Sequence, residues 1–199
     1  ATVTLVAVSK GQPPERIREA YAAGQRHFGE NYAQEWRAKA EALADLPDLE
    51  WHFIGALQSN KAKYLAGKAH WIHTIDRIDV ASELSRKLEQ AGATMRALIQ
   101  VSIAGEHQKA GCDPEALPAL CEQIAKLPGL ELAGLTCIPP AEGDPRPHFK
   151  RLRALRDALP VPPPHLSMGM SSDYATAIEE GATLVRVGTA IFGPRPAKT

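Results

Sequence analysis

The stretch Thr4-Leu5-Val6-Ala7-Val8-Ser9-Lys10-Gly11-Gln12-Pro13-Pro14 starts as a strand and ends as the opening of a helix. Thr4 to Val8 is a short apolar, β-branched run of the length of one buried strand. Ser9-Lys10-Gly11 interrupts it. Pro13-Pro14 then suits a first helical turn, where a missing N–H costs nothing. Ile17, Ala20 and Tyr21 follow at helical spacing, and Gly24 marks the stop. Strand, polar turn and helix make one βα unit, so the fold turns on how often this unit recurs.

It recurs to the end of the chain. A brief strand at 27–28 precedes a helix over 31–44 that carries Tyr32, Trp36 and Leu43. Strand 51–54 leads to a short helix over 60–65, and strand 71–75 to a helix over 80–90. Strand 95–101 is followed by a helix that starts at Pro114 and ends before Pro128-Gly129. Strand 130–136 precedes a helix over 148–159, and the Pro-rich connector 160–164 leads into a strand at 165–168. Asp173 is expected to cap a helix that stops at Gly181, and strand 183–187 ends in a turn of helix near Ala190. Eight strands, each with its helix, predict a single-domain α/β protein, a (β/α)8 TIM barrel over residues 1–199 with few insertions. An open doubly wound sheet is the competing topology. The barrel is preferred because polar, chemistry-bearing residues gather at the C-terminal ends of several strands.

Composition narrows the function. Lys plus Arg is 23 and Asp plus Glu is 23, so no basic excess favours nucleic acid or a membrane surface. Lys150, Arg151, Arg153 and Arg156 fall on what reads as the solvent face of a helix. No apolar run approaches a membrane span, and no signal peptide is visible. Cys112, Cys121 and Cys137 have no metal-ligand spacing, and no metal is expected; free thiols in the cytoplasm fit them.

Three clusters carry chemistry. Lys10 stands directly after the first strand, where barrel enzymes place catalytic groups; it is a strand terminator or an amine able to form a Schiff base. Ser167-Met168-Gly169-Met170-Ser171-Ser172-Asp173 follows the seventh strand as a Gly-containing turn suited to a phosphate. Arg186-Val187-Gly188-Thr189 ends the eighth strand; Gly188 permits close approach, and Thr189 offers an N–H and a hydroxyl. Barrels commonly bind phosphate on the loops after these two strands. Weaker candidates are His27, Glu30 and Asn31 after the second strand, Gln58, Asn60 and Lys61 after the third, and Lys109 after the fifth. His52 reads as a satisfied core histidine.

These residues resemble the pyridoxal phosphate homeostasis protein family. The matching pieces are Ala7-Val8-Ser9-Lys10, Phe28-Gly29-Glu30-Asn31-Tyr32, Trp51-His52-Phe53-Ile54-Gly55 and Leu57-Gln58-Ser59-Asn60-Lys61. Leu166-Ser167-Met168-Gly169-Met170-Ser171 and Val185-Arg186-Val187-Gly188-Thr189-Ala190-Ile191-Phe192-Gly193 complete the set, which spans nearly the whole chain. The resemblance implies a barrel like the alanine racemase N-terminal domain, with pyridoxal 5′-phosphate (PLP) in its mouth. Lys10 would hold PLP as an internal aldimine, a Schiff base. Ser171, Gly188 and Thr189 would hold the phosphate, Arg186 would face the pyridine nitrogen, and Asn31 would border the cofactor. It also implies a helix before the first strand, which this sequence does not include.

A cation at the pyridine nitrogen disfavours the proton that makes PLP a strong electron sink. Racemisation also needs acid–base groups on both faces of the substrate α-carbon. The expectation is therefore a monomeric cytoplasmic PLP carrier with little or no turnover, with PLP-dependent apo-enzymes as possible recipients. An amino-acid racemase using Lys10 with Tyr174 or a water is the alternative. A PLP-free barrel enzyme acting on a sugar phosphate is the third reading.

Overall fold

Closure is the first thing the structure decides. The computed structural model describes residues 2–104 and 110–194. Its strands are β1 (Thr4–Val8), β2 (His27–Glu30), β3 (Glu50–Phe53), β4 (Trp71–Ile75), β5 (Met95–Gln100), β6 (Leu130–Thr136), β7 (His165–Ser167) and β8 (Leu184–Val187). They pair in chain order as a closed barrel. The parallel pairing of β1 with β8, Val6 opposite Arg186 and Ala7 opposite Val187, rules out the open sheet.

Helices α1 (Pro14–Ala22), α2 (Ala33–Ala42), α3 (Ala62–Leu65), α4 (Ile78–Ala91), α5 (Leu117–Ile124), α6 (Arg146–Asp157), α7 (Tyr174–Glu179) and α8 (Thr189–Phe192) follow the strands in turn. A 3-10 turn at Ser59–Lys61 precedes α3, where sequence predicts one continuous short helix. Predicted bounds shift by a few residues elsewhere, most at α5, which starts at Leu117 rather than Pro114. Asp173 stands at the expected N-cap position of α7, but its side chain makes no capping bond. Its carboxylate accepts the Met170 N–H at 2.6 Å, inside the preceding loop. Among the described residues no helix is long and apolar enough to cross a membrane.

The two faces of the strands have different fates, as the pleat requires. Outward residues such as Ala7, Phe28, Phe53, Ile72, Ala97, Leu135 and Leu166 pack against Ile17, Trp36, Leu84, Leu88, Ile124 and Phe149. Inward, Val6, Trp71, Leu98, Ala133 and Leu184 form a separate small cluster. The rest of the interior is polar. His27 Nδ1 lies 3.0 Å from His52 Nε2, His52 Nδ1 2.9 Å from His73 Nε2, and His73 Nδ1 2.9 Å from Ser167 Oγ. Arg186 Nη1 then donates to Ser167 Oγ at 2.5 Å.

One arrangement of protons satisfies every member of this file. Arginine only donates, so Ser167 accepts from Arg186 and passes its own proton to His73. His73 donates to His52, and His52 to His27, with every ring neutral. Burial supports neutrality. It drives the pKa of His52 and of His73 well below 6.5, helped by the neighbouring His73 for one and by Arg186 for the other. His52 also stacks on Trp71 with ring centroids 5.1 Å apart.

Neutral burial fixes the sign of an acid response. The unfolded chain binds protons at these histidines below its pKa of 6.5 while the folded chain does not, so stability is full above that pH and falls below it. Each histidine contributes roughly 1.4 kcal/mol per pH unit. Urea melts at about pH 7.5 and about pH 5.5 should therefore differ by roughly 2–3 kcal/mol from this pair, and equal stabilities would contradict neutral burial.

Candidate functional site

The mouth is built where β1 runs out. The ladder ends with Ser9 N–H donating to the Gly29 carbonyl at 3.0 Å, and Gln12 N–H then returns to the Ser9 carbonyl at 3.0 Å. That bond closes a four-residue turn with Lys10 second and Gly11 third. Gly11 has φ +72°, the left-handed conformation that a type II turn requires at its third position. Lys10 thus projects from the rim, half-buried, and among the described residues no carboxylate pairs with it.

The neighbouring strand on one side is β8. Arg186 is 7% exposed, and its guanidinium donates only to neutral acceptors: Ser167 Oγ, Thr136 Oγ1 at 3.1 Å and the Cys137 carbonyl at 3.1 Å. Burial pulls its pKa down from the usual arginine value, yet a guanidinium remains a cation. A buried cation among neutral dipoles is suited to an electron-rich partner. Two residues on, Gly188 N–H donates to Ser171 Oγ at 3.4 Å, a long bond that joins the loop after β7 to the loop after β8. It leaves the Ser171 hydroxyl proton free to meet an anion at this seam. A Cβ at 188 would lie 3.1 Å from the Val8 carbonyl across the β1–β8 seam, a tight contact that glycine avoids. Thr189, exposed at the start of α8, adds its hydroxyl to the same rim.

On the other side, β2 ends at Glu30 and delivers Asn31. The Asn31 Oδ1 is buried with no hydrogen-bond partner among the described residues, as a ligand-facing amide would be. Lys10, Asn31, Ser171, Arg186, Gly188 and Thr189 therefore share one sector of the mouth, spanning β7, β8, β1 and β2 in their pairing order. An orphaned amide oxygen, a serine hydroxyl with a free proton and a buried cation with no carboxylate partner among the described residues fit an anionic, nitrogen-containing ring beside the Lys10 amine.

Other candidates separate from this sector. His27 begins β2 rather than ending it, so it lies at the opposite end of the barrel. Lys109 lies outside the described residues. On α6, Lys150 and Arg151 are exposed, as the solvent-face reading requires. Arg153 is only half-exposed; it donates to the Glu180 carbonyl at 3.0 Å and ties α6 to α7. Burial raises the thiols of Cys112 and Cys137 to about 12 and that of Cys121 to about 11, which leaves them unreactive.

His27, Glu50 and His52 hold ligand-type atoms within 4.8 Å of one another, a grouping that linear spacing conceals because it spans two strands. The two rings are already joined by their 3.0 Å hydrogen bond. Glu50 accepts from Trp71 Nε1 at 2.9 Å and lies 3.9 Å from Arg96. The group is read as a polar plug for the barrel floor.

Sequence reasoning missed the residues beneath Lys10. Lys39, with its side chain 6% exposed, meets both Glu30 and Glu35 at 2.7 Å. Glu35 and Lys39 are four apart on α2 and look in sequence like an ordinary surface ion pair. Only their placement behind β1 distinguishes them.

Comparison with known proteins identifies the family and the fold. The sequence profile of the alanine racemase N-terminal domain matches residues 2–196. The pyridoxal phosphate homeostasis protein of Aquifex aeolicus is 50% identical over 198 residues, covering 96% of this chain and 86% of that protein. Its namesake in Pseudomonas aeruginosa is also 50% identical, covering 98% of this chain and 86% of the relative. PipY of Synechococcus elongatus superposes with a TM-score of 0.90 at 44% identity without PLP, covering 96% of this chain and 93% of PipY. With PLP bound, PipY superposes with a TM-score of 0.88 at 43% identity, over 96% of this chain and 92% of PipY. Racemases and a D-threonine aldolase at 12–20% identity share the fold. By this identity and coverage, the chain belongs to the pyridoxal phosphate homeostasis protein family, built on the barrel of the alanine racemase N-terminal domain.

Proposed function

We propose that this chain binds PLP at Lys10 and serves as a carrier in PLP homeostasis, with little or no turnover of its own. The observation that carries the reading is the convergence, across the β1–β8 seam, of an amine at Lys10, the Ser171 hydroxyl held against Gly188 N–H, and the Arg186 cation, which no carboxylate pairs among the described residues. When bound, PLP supplies an aldehyde that condenses reversibly with a primary amine. Lys10 presents that amine at the rim. Ser171, Gly188 and Thr189 hold the phosphate by N–H and O–H donors. Arg186 has no proton to surrender and no lone pair to offer, so it donates to a ring nitrogen and keeps a proton off it. The Asn31 amide, which carries both a donor and an acceptor, borders the ring's polar edge.

This donor pattern favours holding over turnover. Proton transfer at a substrate carbon needs positioned groups on both faces. Tyr174, the candidate second group for a racemase, is 42% exposed at the start of α7, and no hydrogen bond fixes its hydroxyl among the described residues. The relatives with racemase names lie at 12–20% identity and support the fold alone.

Delivery of PLP to apo-enzymes is consistent with the rim itself. Tyr32, Ile138, Met170 and Tyr174 are exposed and follow strands β2, β6 and β7, so they edge the mouth with apolar surface that a recipient protein can cover. A monomer in the cytoplasm is part of the same proposal. Free cysteines support a reducing compartment.

Two results test the assignment. The purified protein with PLP should show a visible absorption band that borohydride abolishes, leaving a pyridoxyl adduct on Lys10; Lys10→Ala should give neither, and a band that survives in that variant contradicts the anchor. Ser171→Ala should weaken PLP binding by about tenfold and leave unphosphorylated pyridoxal binding unchanged. Equal losses for both ligands would remove Ser171 from the phosphate cradle.

A further inference from the structure

Below Lys10 lies a cluster that the binding reading does not use. Lys39 Nζ donates to the Ser9 carbonyl, to Glu30 Oε1 and to Glu35 Oε1, each at 2.7 Å. These three bonds use all the protons of an ammonium group. Glu35 Oε1 also accepts the Gly11 N–H at 2.6 Å. Ser9 Oγ donates to Glu30 Oε1 at 2.6 Å, which fastens the end of β1 to the end of β2. The Ser9 carbonyl belongs to the peptide plane before the Lys10 Cα, and the Gly11 N–H to the plane after it. One helix therefore grips both planes that set the Lys10 backbone.

We propose that Lys39 and Glu35 are the positioning residues of Lys10, clamping the two peptide units that flank it so that its side chain leaves the rim in one direction. The proposal rests on the reading of Lys10 as the PLP-binding amine. A buried ammonium costs several kcal/mol unless it is fully paired, so a solvated ion pair would be the cheaper way to join α2 to its neighbours. Here the charge is buried and aimed at the backbone of one residue. The same three bonds occupy the whole Lys39 head group, so the two lysines near the mouth differ in kind. Lys10 is presented for condensation, in which its nitrogen bonds the aldehyde carbon and one water leaves. Lys39 is withheld.

Misplacing a reacting amine should impair condensation without disturbing the phosphate cradle across the seam. The test compares PLP with pyridoxine 5′-phosphate, which has the phosphate and ring but no aldehyde, in Glu35→Ala, Lys39→Ala and Lys39→Arg. Melting curves establish that each variant is folded. In Glu35→Ala and Lys39→Ala, PLP affinity read from the visible band should fall about tenfold or more. Pyridoxine 5′-phosphate affinity should stay within about twofold. Lys39→Arg, which restores donors to the Ser9 carbonyl, should recover part of the loss. If Lys39→Ala does not fold, Glu35→Ala carries the test alone, since Glu35 sits at the partly exposed edge of the cluster. Parallel losses for both ligands, or PLP affinity within about twofold of wild type in folded Glu35→Ala, would overturn the clamp. Failure of the wild-type protein to take up either ligand would instead overturn the PLP reading on which the clamp depends.

Discussion

The pairing of β1 with β8 is the constraint from which the site follows. Four residue pairs, from Thr4 with Leu184 to Ala7 with Val187, join the first strand to the last. That seam sets Val8, two residues before Lys10, against Gly188 and Arg186 level with the middle of β1. Without it, an amine from the start of the chain and the Ser171–Gly188 pair from its end would lie on opposite edges of an open sheet. The glycine at 188 belongs to the same constraint, because the strands approach too closely there for a Cβ to fit comfortably.

The interior of the barrel answers a second demand, imposed by Arg186. A guanidinium buried without a carboxylate must be met by oriented dipoles, or its desolvation would be prohibitive. Ser167, Thr136 and the Cys137 carbonyl supply them, and the histidine file carries the orientation onward to the floor. Beside an inward apolar cluster of Val6, Trp71, Leu98, Ala133 and Leu184, this polar column is a costly way to fill space. Its length makes sense as a support for one cation. Each ring fixes the tautomer of the next, and the last reaches solvent-accessible groups at Glu50 and His27.

Much of this was legible in the sequence, for identifiable reasons. Strands such as β1, β5 and β6 announce themselves because they are short, largely apolar and bounded by Gly, Pro or polar residues. Lys10 and the 186–189 segment stand out because barrel chemistry collects at C-terminal strand ends. Closure itself was an inference from strand count, and only the β1–β8 ladder establishes it. His27 was misplaced because a two-residue strand reading cannot say which end of a four-residue strand it marks. Lys39 escaped notice because a Glu and a Lys four apart on a helix are ordinary, and burial depends on what the helix is packed against. Asp173 has the identity and the position of a helix cap, yet its carboxylate accepts the Met170 N–H in the loop instead of capping α7.

Closure has a temporal side as well. A ribosome extends a chain by about 5–20 residues per second, so β1 emerges roughly ten seconds or more before β8 exists to pair with it. In that interval the nascent sheet has an exposed edge, and Lys10 is an ordinary amine on an incomplete scaffold. Parallel strands joined across the whole chain length are slow to assemble for the same reason. Cofactor capture is therefore a property of the finished chain alone, and a molecule truncated anywhere before β8 would emerge blind to its ligand.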